Sequence, residues 1–302
     1  VEHKVLAGPF ARAFPDAEFY ATDRQYSFPL NLPDSFLGLP PWTRPLPESG
    51  AASDGSWGGE FDHEVLTVKP GPGSMYQDAA FFHGPSGTLL ICDALFAATE
   101  EPPPILTEEP EYLRALLFHA RDTPQEIVED TPEARRRGWR RIVLLFNFFF
   151  PTSAAVADLG VGPLLNLRPY ELGWGGWMPF RWKSREAEEE AFNKYSAGGS
   201  PTMLPIIQII LSRGGSGEDT LRWVEKVKRW SFKRIVPAHL DAPLAMGPEE
   251  FAETFAFIKK GRNEVRFCDQ DVAFLRAAEE GPLSFSVYKS SLGVLRGQPC
   301  GP

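Results

Sequence analysis

The first hint of chemistry comes from three side chains. The run His83-Gly-Pro-Ser-Gly-Thr-Leu-Leu-Ile-Cys-Asp93 ends one strand-like stretch in an imidazole, turns tightly, and ends the next stretch in a carboxylate. Far downstream, Arg234-Ile-Val-Pro-Ala-His-Leu-Asp241 carries a short apolar strand to His239. A strand end fixes the backbone while the side chain faces a cleft, so it is a good carrier of ligands. Two imidazoles and a carboxylate suit Zn, Fe or Mn. Each motif alone reads more simply as ordinary structure: a hairpin with a capping Asp, or a His bonded to a backbone carbonyl.

The supply of other ligands is small. The five histidines are His3, His63, His83, His119 and His239, and the three cysteines are Cys92, Cys268 and Cys300. That is too few cysteines for a disulfide framework or a four-thiolate zinc site. His63, between Asp62 and Glu64 in an alternating strand, reads as exposed. His119 follows Leu116, Leu117 and Phe118 on a helix and reads as a packing residue, and Cys92 as a buried strand residue. No Gly-x-Ser-x-Gly elbow is present, and the Gly-rich turn Ser212–Gly217 lacks the P-loop Lys. No residue is assigned a catalytic role.

The elements that position these groups follow from periodicity and punctuation. Residues 5–14 read as a short helix and Ala17–Ala21 as a strand. Phe61–Val68, Asp78–His83 and Thr88–Cys92 read as strands, the last two joined by a hairpin turn. Residues 101–110 read as a Pro/Glu-rich loop and Glu111–Arg121 as a helix. Asp130-Thr-Pro-Glu133 opens a further helix that Pro151 ends. Glu186–Tyr195, Gly217–Trp230, Pro248–Lys260 and Asp269–Glu280 read as helices and Arg234–Ala238 as a strand. Pro205–Ser212 fits a helix or a buried strand equally. Proline is abundant, 29 of 302 residues, roughly twice the usual share. It concentrates in an excursion at 29–58, and a second excursion, rich in Gly, Pro and Trp, spans 158–182. The order predicts an α/β layered domain over 1–302, with a C-terminal extension at 261–302.

Charge is unevenly spread. Residues 1–130 hold 7 Lys/Arg against 21 Asp/Glu, and residues 131–302 hold 24 against 19, for a net −9. The acidic total argues against nucleic-acid binding. Much of the later positive charge sits in one helix, on Arg135, Arg136, Arg137, Arg140 and Arg141, ahead of Phe146 and Phe148–Phe150. With Trp174, Trp177 and Trp182 these residues suggest a protein-docking or membrane-interface surface. A buried core helix with a solvated basic first turn fits as well. No apolar run reaches the roughly 18–20 residues that span a bilayer.

The segments Glu2-His3-Lys4, Gly8-Pro9-Phe10-Ala11-Arg12, Ser27-Phe28-Pro29-Leu30-Asn31-Leu32-Pro33, Phe81-Phe82-His83, Thr88-Leu89-Leu90, Asp93, Gly138-Trp139 and Val236-Pro237-Ala238-His239 resemble an uncharacterised metallo-β-lactamase-like family of cyanobacteria, algae and plants. The resemblance runs from residue 2 to about 258. It implies a metallo-β-lactamase-like sandwich lacking its first strands, with His83, Asp93 and His239 as metal ligands and His3 as a fourth. The early His-x-His-x-Asp-His cluster of active relatives is reduced to His3, so the ligands suffice for one ion at most. The expectation is a non-catalytic accessory protein with a degenerate site, in the chloroplast, docking to a photosynthetic thylakoid complex without a transmembrane span. It is expected to carry no cofactor. The alternative is a one-metal hydrolase or oxidoreductase using Zn or Fe.

Overall fold

The computed structural model describes residues 6–22, 36, 38–51, 57, 59–70, 75–122, 126–147, 153–156 and 180–260. His3, Trp174, Trp177, Phe148–Phe150, the expected helix at 269–280 and the extension at 261–302 lie outside them. So do residues 158–179 of the second excursion and about half of the first.

The chain is mixed α/β. Helix α1 (Ala7–Ala13) is followed by short strands β1 (Tyr20–Ala21), β2 (Arg44–Pro45) and β3 (Ser49–Gly50). The longer strands β4 (Phe61–Val68), β5 (Tyr76–His83) and β6 (Thr88–Ile91) come next. Then follow helices α2 (Pro104–Glu108), α3 (Pro110–His119) and α4 (Pro132–Asn147), and the pair β7 (Ala154–Val156) and β8 (Phe180–Trp182). Helices α5 (Arg185–Ser196), α6 (Pro205–Ser212) and α7 (Ser216–Val227) lead to β9 (Arg234–Pro237) and to α8 (Pro248–Thr254) and α9 (Phe257–Lys260).

One five-stranded sheet, ordered β3-β4-β5-β6-β9, is the centre of the fold. It is antiparallel from β3 to β6, and β9 joins β6 in parallel, Thr88 beside Arg234 and Ile91 beside Pro237. A parallel neighbour needs a long crossover, and the helices between residues 92 and 233 supply it. The alternation along β4 and β5 turns Leu66, Val68, Ala80 and Phe82 onto one face. There they pack with Leu89, Ile91 and Ile235 against Trp223, Val224 and Val227 of α7. Trp223 also donates its indole N–H to the Glu64 carbonyl at 3.2 Å. A second core joins Leu116, Trp139, Val143 and Leu144 of α3 and α4 to Ala191, Phe192 and Tyr195 of α5.

The helix starts follow the local sequence. Thr131 Oγ1 accepts the Ala134 N–H at 3.1 Å and Ser184 Oγ that of Ala187 at 3.1 Å, each satisfying an amide that a helix leaves unpaired. The Pro205–Ser212 segment resolves as a helix with Pro205 in its first turn. Three expectations need correcting. The 101–110 loop contains the short helix α2. The expected helix 248–260 breaks at Phe255, whose ring is buried against Trp223 and Phe251. His63 is buried rather than exposed: Trp57 Nε1 donates to its Nδ1 at 3.2 Å, so Nε2 carries the proton and lies 3.0 Å from the Pro47 carbonyl. Neighbouring acids suggested solvent, but the alternation that sends Asp62 and Glu64 one way sends His63 the other.

His119 is buried as expected, and burial followed by the nearby Arg141 charge lowers its pKa from 6.5 to about 4. The native state therefore resists a proton that the unfolded chain accepts below pH 6.5. Its stabilisation is complete above that pH and is lost as pH falls to about 4, at ~3 kcal/mol for a shift of this size. Urea unfolding of wild type and His119→Gln at pH 7 and pH 4.5 should show the variant less weakened by acid. Equal losses in the two proteins would refute that assignment.

Candidate metal centre

Strands β6 and β9 run side by side and end together. The Ala238 N–H donates to the Ile91 carbonyl at 2.9 Å, carrying their pairing one step past the named strands. The next residues are Cys92 and Asp93 on one chain segment and His239 on the other. His239 Nε2 lies 3.2 Å from Asp93 Oδ1, and Cys92 Sγ lies 3.8 Å from the same oxygen. All three ligand atoms fall within 4.8 Å of one another. Asp93 and His239 keep 29% and 41% side-chain exposure, so the cluster is open to solvent.

The surroundings hold each group. Leu240 adopts a left-handed φ of 64° directly after His239, a conformation uncommon outside glycine. The segment is clamped beyond it: the Asp241 N–H donates to the Ala97 carbonyl at 3.0 Å, and the Asp241 carboxylate accepts the Thr99 N–H. Burial raises the Asp241 pKa, against those bonds from Thr99. The Phe96 ring stacks on His239 with centroids 5.9 Å apart. On the other side, Asp78 Oδ2 accepts the N–H groups of Asp93 at 3.0 Å and Ala94 at 2.9 Å, and its Oδ1 accepts that of Ala79 at 2.7 Å. Burial, with Asp93 alongside, pushes the Asp78 carboxyl up to about 6 in spite of these bonds. Burial and the same two carboxylates hold the Tyr76 phenol well above its usual range.

The three donors could hold a divalent ion. Ligand bonds of ~2.0–2.3 Å around a tetrahedral ion separate the donors by roughly 3.3–3.7 Å, close to the two separations observed. One thiolate, one carboxylate and one imidazole are the mixed donors that Zn and Fe accept.

Of the expected ligands, Asp93 and His239 converge and His83 does not. In the β5–β6 register His83 faces Thr88, five residues before Asp93, which at ~3.3 Å per residue puts it roughly 16 Å away along the strand. Its Nδ1 sits 2.7 Å from Ser86 Oγ, and its ring lies against Phe61. A hairpin sends its two strand ends in opposite directions, so a His before the turn and an Asp after the return strand end up on opposite edges. Cys92, not His83, lies beside Asp93 and His239. Cys92, expected as a buried strand residue, is half-buried and lies just past β6; Asp78 drew no expectation, although an Asp in the core-facing series Asp78, Ala80, Phe82 was a visible signal.

The arginine helix is largely turned inward. Arg137, Arg140 and Arg141 are buried. Arg141 donates to Glu188 Oε2 and Asp122 Oδ1 at 2.6 Å each and to the Arg121 carbonyl at 2.6 Å, with its guanidinium 5.2 Å from the Trp182 ring. Arg140 pairs with Glu133 and Glu189, Arg137 with Asp122 and Glu126, Arg136 with Glu101, and Arg135 with Asp130. The run that suggested an open basic surface thus closes onto acids, several of them from the negative first part of the chain.

Residues 1–257 match the model of a family described as a domain of unknown function, DUF4336. The chain belongs to this family. No curated protein and no solved structure matches it. The DUF4336 match takes in Asp78, Cys92, Asp93, His239 and the whole arginine-paired helix layer, and residues 258–302 lie beyond it. Among the described residues of this DUF4336 chain, no helix is long and apolar enough to cross a membrane.

Proposed function

We propose that this protein is a single-metal member of a metallo-β-lactamase-like group, binding a Zn- or Fe-class divalent ion through Cys92, Asp93 and His239, and that the reaction class is hydrolysis. The observation that carries the reading is the convergence of three ligand atoms within 4.8 Å at two adjacent strand ends. Three protein ligands leave a position for water, the pattern of catalytic rather than structural sites. A bound Zn²⁺ would bring the pKa of a water there to about 7. The chain's own residues supply the frame: Asp78 holds the Asp93 backbone, the Asp241–Thr99 clamp and the Phe96 ring hold His239, and solvent reaches the cluster from outside.

Metal analysis of protein purified without chelator, followed by zinc titration, tests the reading. About one equivalent is expected. His239→Ala or Cys92→Ser should weaken binding more than about 100-fold, beyond the 10–100-fold typical of an outer-shell change. Less than about a tenth of an equivalent taken up at saturating zinc would sink the proposal.

A second reading, an accessory protein docking to a thylakoid complex in the chloroplast, draws on another observation. Phe10 of α1 and Phe14 just after it are more than half exposed with rings 4.6 Å apart, and Trp42 is exposed as well. Co-purification with solubilised thylakoid complexes that is lost in Phe10→Glu/Phe14→Glu would support it, and a free monomer at every salt concentration would oppose it.

A further inference from the structure

We propose that Asp78 is the positioning residue of the metal centre, holding the Cys92–Asp93 strand end in its ligating geometry; this rests on the single-metal reading above.

The β5–β6 register pairs Phe81 with Leu90 and Phe82 with Leu89. Continued past the named strand, it sets Asp78 opposite Asp93. There the ladder changes character. Instead of a backbone carbonyl, the Asp78 carboxylate takes the two successive amides of Asp93 and Ala94. Ala94 is fully buried and Asp78 nearly so, so the Ala94 amide would otherwise lack a partner. A side-chain acceptor reaches further than a ladder carbonyl. It lets the chain leave the sheet at Cys92 while both N–H groups stay bonded. Two consecutive side chains, Cys92 and Asp93, then lie on the same side of the sheet edge as His239, which a regular strand with its alternating faces would forbid. The third bond, from the Ala79 N–H, locks the carboxylate's own rotamer.

Cobalt(II) is the probe, because its thiolate charge-transfer band reports Cys92 ligation directly. Wild type, Asp78→Leu and Asp78→Asn are titrated well below their unfolding temperatures, alongside Thr220→Val, which removes the buried bond from Thr220 to the Leu211 carbonyl and serves as a destabilised control. Asp78→Leu fills the space but offers no acceptor. It should bind cobalt 10–100-fold more weakly and lose or shift the thiolate band. Asp78→Asn keeps an oxygen for both amides and should stay within about threefold of wild type with the band intact. Thr220→Val should bind like wild type. If Asp78→Leu does not fold, Asp78→Ser, too short to reach both amides, is read in the same way. A wild type that binds cobalt, with an acceptor-free variant showing equal affinity and the same band, overturns the positioning role and leaves the single-metal reading standing. A wild type without the band overturns both.

Discussion

Arg141→Ala is expected to cost ~3–5 kcal/mol of folding stability, the range for removing one partner of a buried ion pair. A typical domain has only about 5–15 kcal/mol in all. The size follows from what the change leaves behind. Glu188 is fully buried, and burial already raises its pKa against the opposing pull of Arg141. Without the guanidinium, a carboxylate at 0% exposure must stay charged without its partner or take up a proton. The carbonyls of His119 and Arg121 lose a donor in the same step. The partly exposed Asp122 loses much less, since water can replace its partner. Arg141→Met combined with Glu188→Leu should recover most of the loss, because the penalty belongs to the stranded charge rather than to the absent pair. Urea unfolding of Arg141→Ala and of the Arg141→Met/Glu188→Leu double variant measures this. A loss below about 1 kcal/mol for Arg141→Ala would place the pair in the solvent-exposed class instead.

Gly138→Ala is the second large effect, and two principles set its sign in opposite directions. Helix propensity favours Ala over Gly by about 1 kcal/mol in a helix interior. A Cβ at position 138, however, would lie 2.0 Å from the Leu116 carbonyl oxygen and 2.8 Å from its carbon. Both are backbone atoms of α3 and cannot swing aside. Relief requires α3 and α4 to separate, which opens the core of Leu116, Trp139 and Val143. It also pulls Trp139 Nε1 from the Thr99 carbonyl, now 2.8 Å away. Overpacking of this kind costs ~1–3 kcal/mol when side chains can adjust. With backbone in the way, a loss at or above the top of that range is expected. A thermal scan checks the direction: a higher unfolding temperature for Gly138→Ala would mean that propensity outweighs the helix contact.

These two positions also show how far the sequence reaches. Gly138-Trp139 stood out in the sequence as part of a family resemblance, without a reason. Only the approach of α4 to the Leu116 carbonyl shows why a side chain has no room there. The arginine run was equally visible, and its helix was read from nearly the right start. Its orientation was not. Acids from elsewhere in the chain, Glu101, Asp122, Glu126, Glu188 and Glu189, come to it through the crossover, and nothing local to residues 135–141 reveals them.

The sequence by itself determined the local events: the hairpin at Gly84–Gly87, the capped starts at Thr131 and Ser184, the alternation of β4 and β5, and the strand ends that present Asp93 and His239. Each depends on interactions between residues close along the chain, through periodicity, turn chemistry or a cap. The tertiary structure alone decided which strand ends share an edge. The parallel pairing of β6 with β9 joins segments more than 140 residues apart and carries His239 to Asp93, while the hairpin return sends His83 to the far edge. It also decided that a buried carboxylate, Asp78, would stand in for a ladder carbonyl and bring Cys92 into the site. The alternation shows that Asp78 faces the core, but which surfaces bury each other and which amides need that acceptor are not recorded in any local sequence pattern.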